Sequence, residues 1–260
     1  TNTMNRYATA VLVFSVAVIS WIQPVKAQAQ DAKATPPAPV EAFYCNMKEG
    51  KSSKDLMQVA EGFSKWAEKN DPSYAAWIIT PQFGLGADLP QLIWLGSWPD
   101  GSAMGKGIAG YGAAGGDQKF GFDAVLDCGM GHVLASSIEI NAPDGPPGDG
   151  VVMFTECNID DGSDWSKAVA AHKSFSGAMR SMGSKGSSWL FFPMLGGGDL
   201  AYDYLAVSTF KNWADYGAAY DMYVTGGGWQ KAMATYEGVA SCDAVPPTVW
   251  DVKLVRQGKR

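Results

Sequence analysis

A displacement of 112 residues brings this chain into register with itself. Sixteen identical pairs fall within the 80 positions from Val40 to Lys119, with no gap. They include Cys45/Cys157, Asn46/Asn158, Phe63/Phe175, Trp77/Trp189, Pro81/Pro193 and Gly115/Gly227. Ordinary composition gives about five such matches by chance, and Cys, Trp and Pro are uncommon residues. Two extra residues then enter the second stretch, so that Cys128 corresponds to Cys242. A repeat of this length means one supersecondary unit made twice, and any fold proposed for the chain has to accommodate both copies.

Each copy reads in the same order. Val40 to Met47 and Val151 to Ile159 are β-type runs ending in Cys-Asn-apolar. Ser52 and Ser53, or Ser163 and Asp164, are cap candidates for a following helix. Leu56, Val59, Ala60, Phe63 and Ala67 then keep helical spacing, as do Trp165, Val169, His172, Phe175 and Met179. A strand follows (Ala75 to Pro81; Ser188 to Pro193), then a Gly-rich turn and another strand (Gln91 to Trp98; Tyr202 to Phe210). A second helix (Ser102 to Ala114; Asn212 to Val224), a Gly-Gly break and a last strand (His132 to Ile140; Thr248 to Val255) complete the unit. The order β-α-β-β-α-β is that of the split βαβ, or ferredoxin-like, unit. The expected fold class is α+β, with tandem ferredoxin-like repeats forming an intrachain pseudo-dimeric barrel.

The run from Tyr204 to Tyr220 (YLAVSTFKNWADYGAAY) resembles the third strand and second helix of the dimeric α+β barrel superfamily. In that superfamily two such units pack sheet to sheet into a barrel. The resemblance implies a pocket in each unit between helices and sheet, and activities from cofactor-independent monooxygenation and haem degradation to plain ligand binding. It also implies that strand one ends beside the start of strand four. Bridges Cys45–Cys128 and Cys157–Cys242 are therefore favoured over the two cross-copy connectivities. Haem-degrading members carry an Asn on the first strand with a Trp and a His; here the second helix has no His. No cofactor is expected.

The ends frame this core. Residues 1–29 read as a signal peptide, with 1–3 an upstream scar before Met4. Arg6 precedes the apolar run Ala8 to Ile22, and small residues Ala27 and Ala29 stand before a cut. That run is shorter than the roughly 20 apolar residues that span a bilayer. Residues 30–39 are a Pro-rich lead-in, 40–140 copy 1, 141–150 (NAPDGPPGDG) a linker and 151–260 copy 2. The expected location is periplasmic or secreted, where four cysteines make two disulfides. Loss of Arg6 and Lys26 lowers Lys+Arg from 20 to 18 against 26 Asp+Glu, a formal charge of −8. A chain so acidic, with no basic stripe, argues against nucleic acid and, after signal cleavage, against anionic membranes.

The chemistry-bearing residues are few. Asn46 and Asn158 could reach a pocket or simply bond the turn backbone. Trp77 and Trp189 read as core before ligand platform. His172 falls on an apolar helical stripe and His132 opens the last strand of copy 1; neither has partners at metal-ligand spacing, and no metal is expected. Gly105-Lys-Gly-Ile-Ala-Gly110 matches a dinucleotide-binding string but sits in a helix. The polar and aromatic residues have diverged: His172 faces Ala60, Tyr204 faces Leu92, and Trp213 faces Gly101. The candidate ligand-binding residues are thus Asn158, His172, Trp189, Tyr204, Tyr216, Tyr220 and Asn46, with one dominant site in Val151 to Arg256. The expected function is an exported small-molecule-binding or accessory scaffold protein, its partner a small apolar or aromatic ligand. The alternative is a cofactor-independent monooxygenase or isomerase of the α+β barrel type, in which Asn158, His172 or Tyr204 orients substrate.

Overall fold

The structure, a computed structural model, describes residues 35–84, 89–242 and 244–259. The expected signal peptide and the first half of the lead-in, residues 30–34, lie outside the described residues. The first half runs β1 (Ala38–Met47), α1 (Ser53–Asn70), β2 (Ala75–Phe83), β3 (Leu92–Ser97), α2 (Gly101–Ala113), α3 (Gly116–Phe120), α4 (Phe122–Val125) and β4 (Leu126–Asn141). The second runs β5 (Gly150–Ile159), α5 (Trp165–Ser181), β6 (Ser187–Leu195), β7 (Tyr204–Phe210), α6 (Trp213–Val224), α7 (Gly228–Tyr236), β8 (Ala240–Ser241) and β9 (Thr248–Arg256).

Eight strands close on themselves in the order β7-β6-β4-β1-β3-β2-β9-β5 and back to β7, while the two-residue β8 lies beside the end of β5. Every pairing is antiparallel. The fold is a mixed α+β closed barrel. Strand alternation decides what goes where. Val40, Ile79, Ile93, Ala135, Val152, Phe191, Val207 and Trp250, one from each barrel strand, pack into a single buried cluster. That cluster is the barrel interior, filled by side chains as an eight-stranded barrel requires. Their neighbours Ile78, Leu92 and Trp94 point outward, under the helices.

Local sequence starts and seats those helices. Ser52 caps α1 in a reciprocal capping box with Asp55. Leu56, Ala60, Phe63 and Ala67, spaced by four, three and four residues, are its buried stripe. Asp164 caps α5 by accepting from the backbone N–H of Ser166 and Lys167. The dinucleotide-like glycine string lies within α2, where Gly107 has a packing role. A Cβ there would come within 2.1 Å of Asp71 Oδ2 and 2.6 Å of Trp98 Nε1, atoms joined by a buried hydrogen bond of 2.8 Å. Only glycine lets the helix settle that close.

Two disulfides join Cys45 to Cys128 and Cys157 to Cys242, with no free cysteine among the described residues. One expectation needs correcting. His132 does not open its strand: β4 begins at Leu126, because β1 keeps pairing through Asn46 opposite Asp127 after a bulge at Tyr44/Asn46. His132 instead stacks on Phe43 at 3.7 Å and lies 3.0 Å from the carboxylate of Glu41.

Candidate functional site

The two halves differ in how their outer faces are filled. Under α1 to α4 one continuous cluster is packed around Phe63, whose ring lies 5.7–5.9 Å from those of Tyr74, Trp94, Phe120 and Phe122. At the offset of 112 residues Tyr74 and Trp94 become Gly186 and Ala206, while Phe120 and Phe122 lie beyond Lys119, where that register ends. An aromatic side chain buries about 150–250 Å², and a glycine and an alanine cannot replace two of them. A cavity of about 1240 Å³, lined by Gly186, Ala206, Ala232 and Ala234 among others, lies between α5, α6, α7 and the sheet. It divides the apolar packing of the second half into two separate clusters.

Phe175, Met179, Tyr223 and Trp229 are among the residues of its apolar wall. Tyr220, Met233 and Val245 also line it and are themselves exposed, which places them at the mouth. Of the charged groups on its border, Asp160 accepts from Ser241 and Arg180 donates to the carbonyl of Ala142, while Glu237 stands exposed at the end of α7. The interior polar groups are hydroxyls, including the Ser176/Ser188 pair at 3.2 Å, and one histidine.

That histidine is held on both sides. Tyr236 Oη lies 3.0 Å from His172 Nδ1, and Tyr204 Oη lies 2.9 Å from His172 Nε2. Tyr204 Oη is in turn 4.0 Å from Cys242 Sγ of the second disulfide. The helical register of α5 puts His172 one turn before Phe175 on the sheet-facing side, and the end of α7 brings Tyr236 over it. Burial pushes the imidazole down to about 4 from its ordinary 6.5, so it is neutral at pH 7. Burial likewise raises the Tyr204 and Tyr236 hydroxyls, which stay protonated.

The structure places the sequence candidates as follows. His172, Trp189, Tyr216 and Tyr220 line the cavity, and Trp189 also packs with the barrel-interior cluster. Tyr204 is fully buried behind His172 and is not a lining residue. Asn158 pairs with Ser241 at the strand edge, outside the cavity. Asn46 accepts from the backbone N–H of Gln91 at 3.0 Å, tying the end of β1 to the approach of β3. Tyr236 was not among the candidates. It lies past Lys231, where the two-residue insertion ends the register, yet Trp229, Ala232, Met233 and Tyr236 keep helical spacing that could have flagged it.

Cys157, His172 and Cys242 have donor atoms within 4.8 Å of one another, but the two sulfurs are bonded to each other and are not available as thiolate ligands. The site does not fit haem either, because both ring nitrogens of His172 are spent on tyrosine hydroxyls, leaving none to ligate an iron.

Comparison with solved structures fixes the architecture. A provisionally named monooxygenase of Lactobacillus acidophilus NCFM superposes with a TM-score of 0.53 at 11% identity, over 86% of this chain and 96% of that one. A similarly named protein of Fusobacterium nucleatum gives 0.54 at 8% identity, over 87% and 96%. The fold is that of the dimeric α+β barrels. A mutant chlorite dismutase of Candidatus Nitrospira defluvii, in complex with cyanide, gives 0.51 at 9% identity, over 86% and 92%. Neither a family model nor a curated protein matches the sequence.

Proposed function

We propose that this chain is an α+β barrel protein of the monooxygenase type, holding a neutral, ring-bearing substrate in the cavity of its second half. The cavity carries the reading: about 1240 Å³ compares with roughly 300–1,000 Å³ for ordinary small-molecule sites. Its walls are aromatic and its single interior titratable cluster is neutral. The likeness to structures named as monooxygenases and chlorite dismutases favours this alternative over a scaffold role.

The chemistry draws on no resident cofactor. An electron-rich phenol or quinol-like substrate supplies its own electrons: in its keto tautomer, where the hydroxyl hydrogen has moved to carbon, a ring CH₂ becomes a carbonyl with one atom of O₂, and the other leaves as water with the two hydrogens. The protein's part is to exclude water, orient the rings against Phe175 and Tyr223, and hold the substrate oxygen at the Tyr236–His172 end.

Within the same reading, the two halves are tandem copies of one ferredoxin-like unit. Strand register supports it: Cys45 pairs with Leu92 and Cys157 with Tyr204, the same pair displaced by 112 residues. Export to an oxidising compartment is part of the proposal, supported by the two disulfides.

Oxygen uptake with a panel of electron-rich phenols, hydroquinones and anthrones tests the reaction, with ¹⁸O₂ tracing one atom into product and one into water. Uptake should be abolished by Ala206→Trp, which restores the bulk found at Trp94. No uptake with any compound, alongside retained ligand, would return the protein to the binding reading.

A further inference from the structure

Counting the protons of the Tyr236–His172–Tyr204 chain gives it a direction. A neutral imidazole has one donor nitrogen and one acceptor, so one tyrosine donates to His172 and the other accepts from it. Tyr204 is fully buried, and a buried hydroxyl hydrogen without an acceptor is costly. Two atoms are within its reach: His172 Nε2 at 2.9 Å and the disulfide sulfur Cys242 Sγ at 4.0 Å, a weak acceptor at the limit of contact. Tyr204 therefore donates to Nε2. The ring proton sits on Nδ1 and is donated to Tyr236 Oη at 3.0 Å. The hydroxyl hydrogen of Tyr236 is then left over. Among the described residues it has no protein acceptor, and Tyr236 lines the cavity.

We propose that Tyr236 is the ligand-recognising donor of this site, its hydroxyl hydrogen aimed into the cavity by the locked His172 tautomer. The ligand it takes carries an acceptor oxygen, a ring carbonyl or a phenolate or enolate, on an otherwise apolar ring system. This rests on the cavity reading above and adds the polarity of its one directional contact. It also assigns a limit. His172 has no nitrogen free to take a substrate proton, so the substrate reaches its anion through its own acidity, and Tyr236 stabilises the oxygen that results. The low basicity of the buried imidazole agrees with a fixed neutral tautomer.

Matched ligand pairs that differ by one ring carbonyl or by two test this: fluorene with fluorenone, and anthracene with anthraquinone. Binding is read from the fluorescence of Trp189 and Trp229, which line the cavity. The carbonyl compounds should bind about five- to tenfold more tightly than their hydrocarbons, the range of one net hydrogen bond. Tyr236→Phe should remove that advantage and leave hydrocarbon binding unchanged, with the melting temperature of the variant confirming that it folds. As a readout independent of affinity, the infrared carbonyl band of bound fluorenone should lie lower in the wild type than in Tyr236→Phe. Equal binding within each pair, or indifference of the carbonyl compounds to Tyr236→Phe, overturns the donor assignment while leaving the cavity standing. Failure of all four compounds to bind removes the cavity reading and this inference with it.

Discussion

Phe63 and Phe175 stand 112 residues apart, at matched positions of the sequence, and meet different surroundings. Phe63 is buried and makes ring contacts with Trp66, Tyr74, Trp94, Tyr111, Phe120 and Phe122. Phe175 is partly exposed, faces the cavity, and touches Tyr223 and Tyr236. Truncating a packed Phe costs about 3–5 kcal/mol, because a new void is added to the lost transfer energy. Phe63→Ala should therefore cost about that much in denaturant unfolding and Phe175→Ala clearly less, since its side chain already borders a void. Equal losses would mean that the second half is as tightly packed as the first. His172 makes a second residue-level claim. Its folded pKa of about 4 lies below the unfolded 6.5, so the unfolded chain takes up the proton first as pH falls. Stability present above pH 6.5 is lost on descending from there toward 4, by up to about 3 kcal/mol. His172→Gln should flatten that part of the stability-versus-pH curve, whereas parallel curves would show that the imidazole is not buried neutral.

At the scale of elements, most strands and helices were legible because burial on a barrel leaves a strong local pattern. β7 alternates between an inward Val207 and an outward Tyr204, and α1 shows its stripe openly. The early start of β4 was not legible. Asp127, Gly129 and Gly131 read locally as loop, and only pairing with β1 makes them strand. At the Gly-Gly breaks Gly115 and Gly227 adopt positive φ and redirect the chain into α3 and α7. Disulfides fasten what these segments cannot hold alone. Cys157–Cys242 spans 85 residues and ties the end of β5 to the segment that closes over the cavity. In the chain-entropy model a loop of this size is worth about 4–5 kcal/mol. Replacing both Cys157 and Cys242 by Ala should lower the denaturation midpoint and, with the segment released, weaken ligand retention. The Cys45/Cys128 double replacement should lower stability comparably while sparing ligand binding. Equal effects on binding would separate the second disulfide from the site.

For the whole molecule, the sequence indicated that a site, if specialised, would lie in the second half, because the polar and aromatic residues there had diverged. It did not indicate why. A cavity is missing volume, and Gly186 and Ala206 look unremarked in sequence until Tyr74 and Trp94 are seen at the matched positions of the other half, inside its packed aromatic cluster. The first half fills the space under its helices with a packed aromatic cluster; the second leaves a cavity there, with a tyrosine–histidine–tyrosine chain along one end. The central claim is thus an asymmetry, and stoichiometry tests it most directly. Native mass spectrometry of the protein with fluorenone should show one ligand per chain, lost in Ala206→Trp and kept in Phe120→Leu, a change confined to the filled half. Two ligands per chain, or one that survives Ala206→Trp, would contradict it.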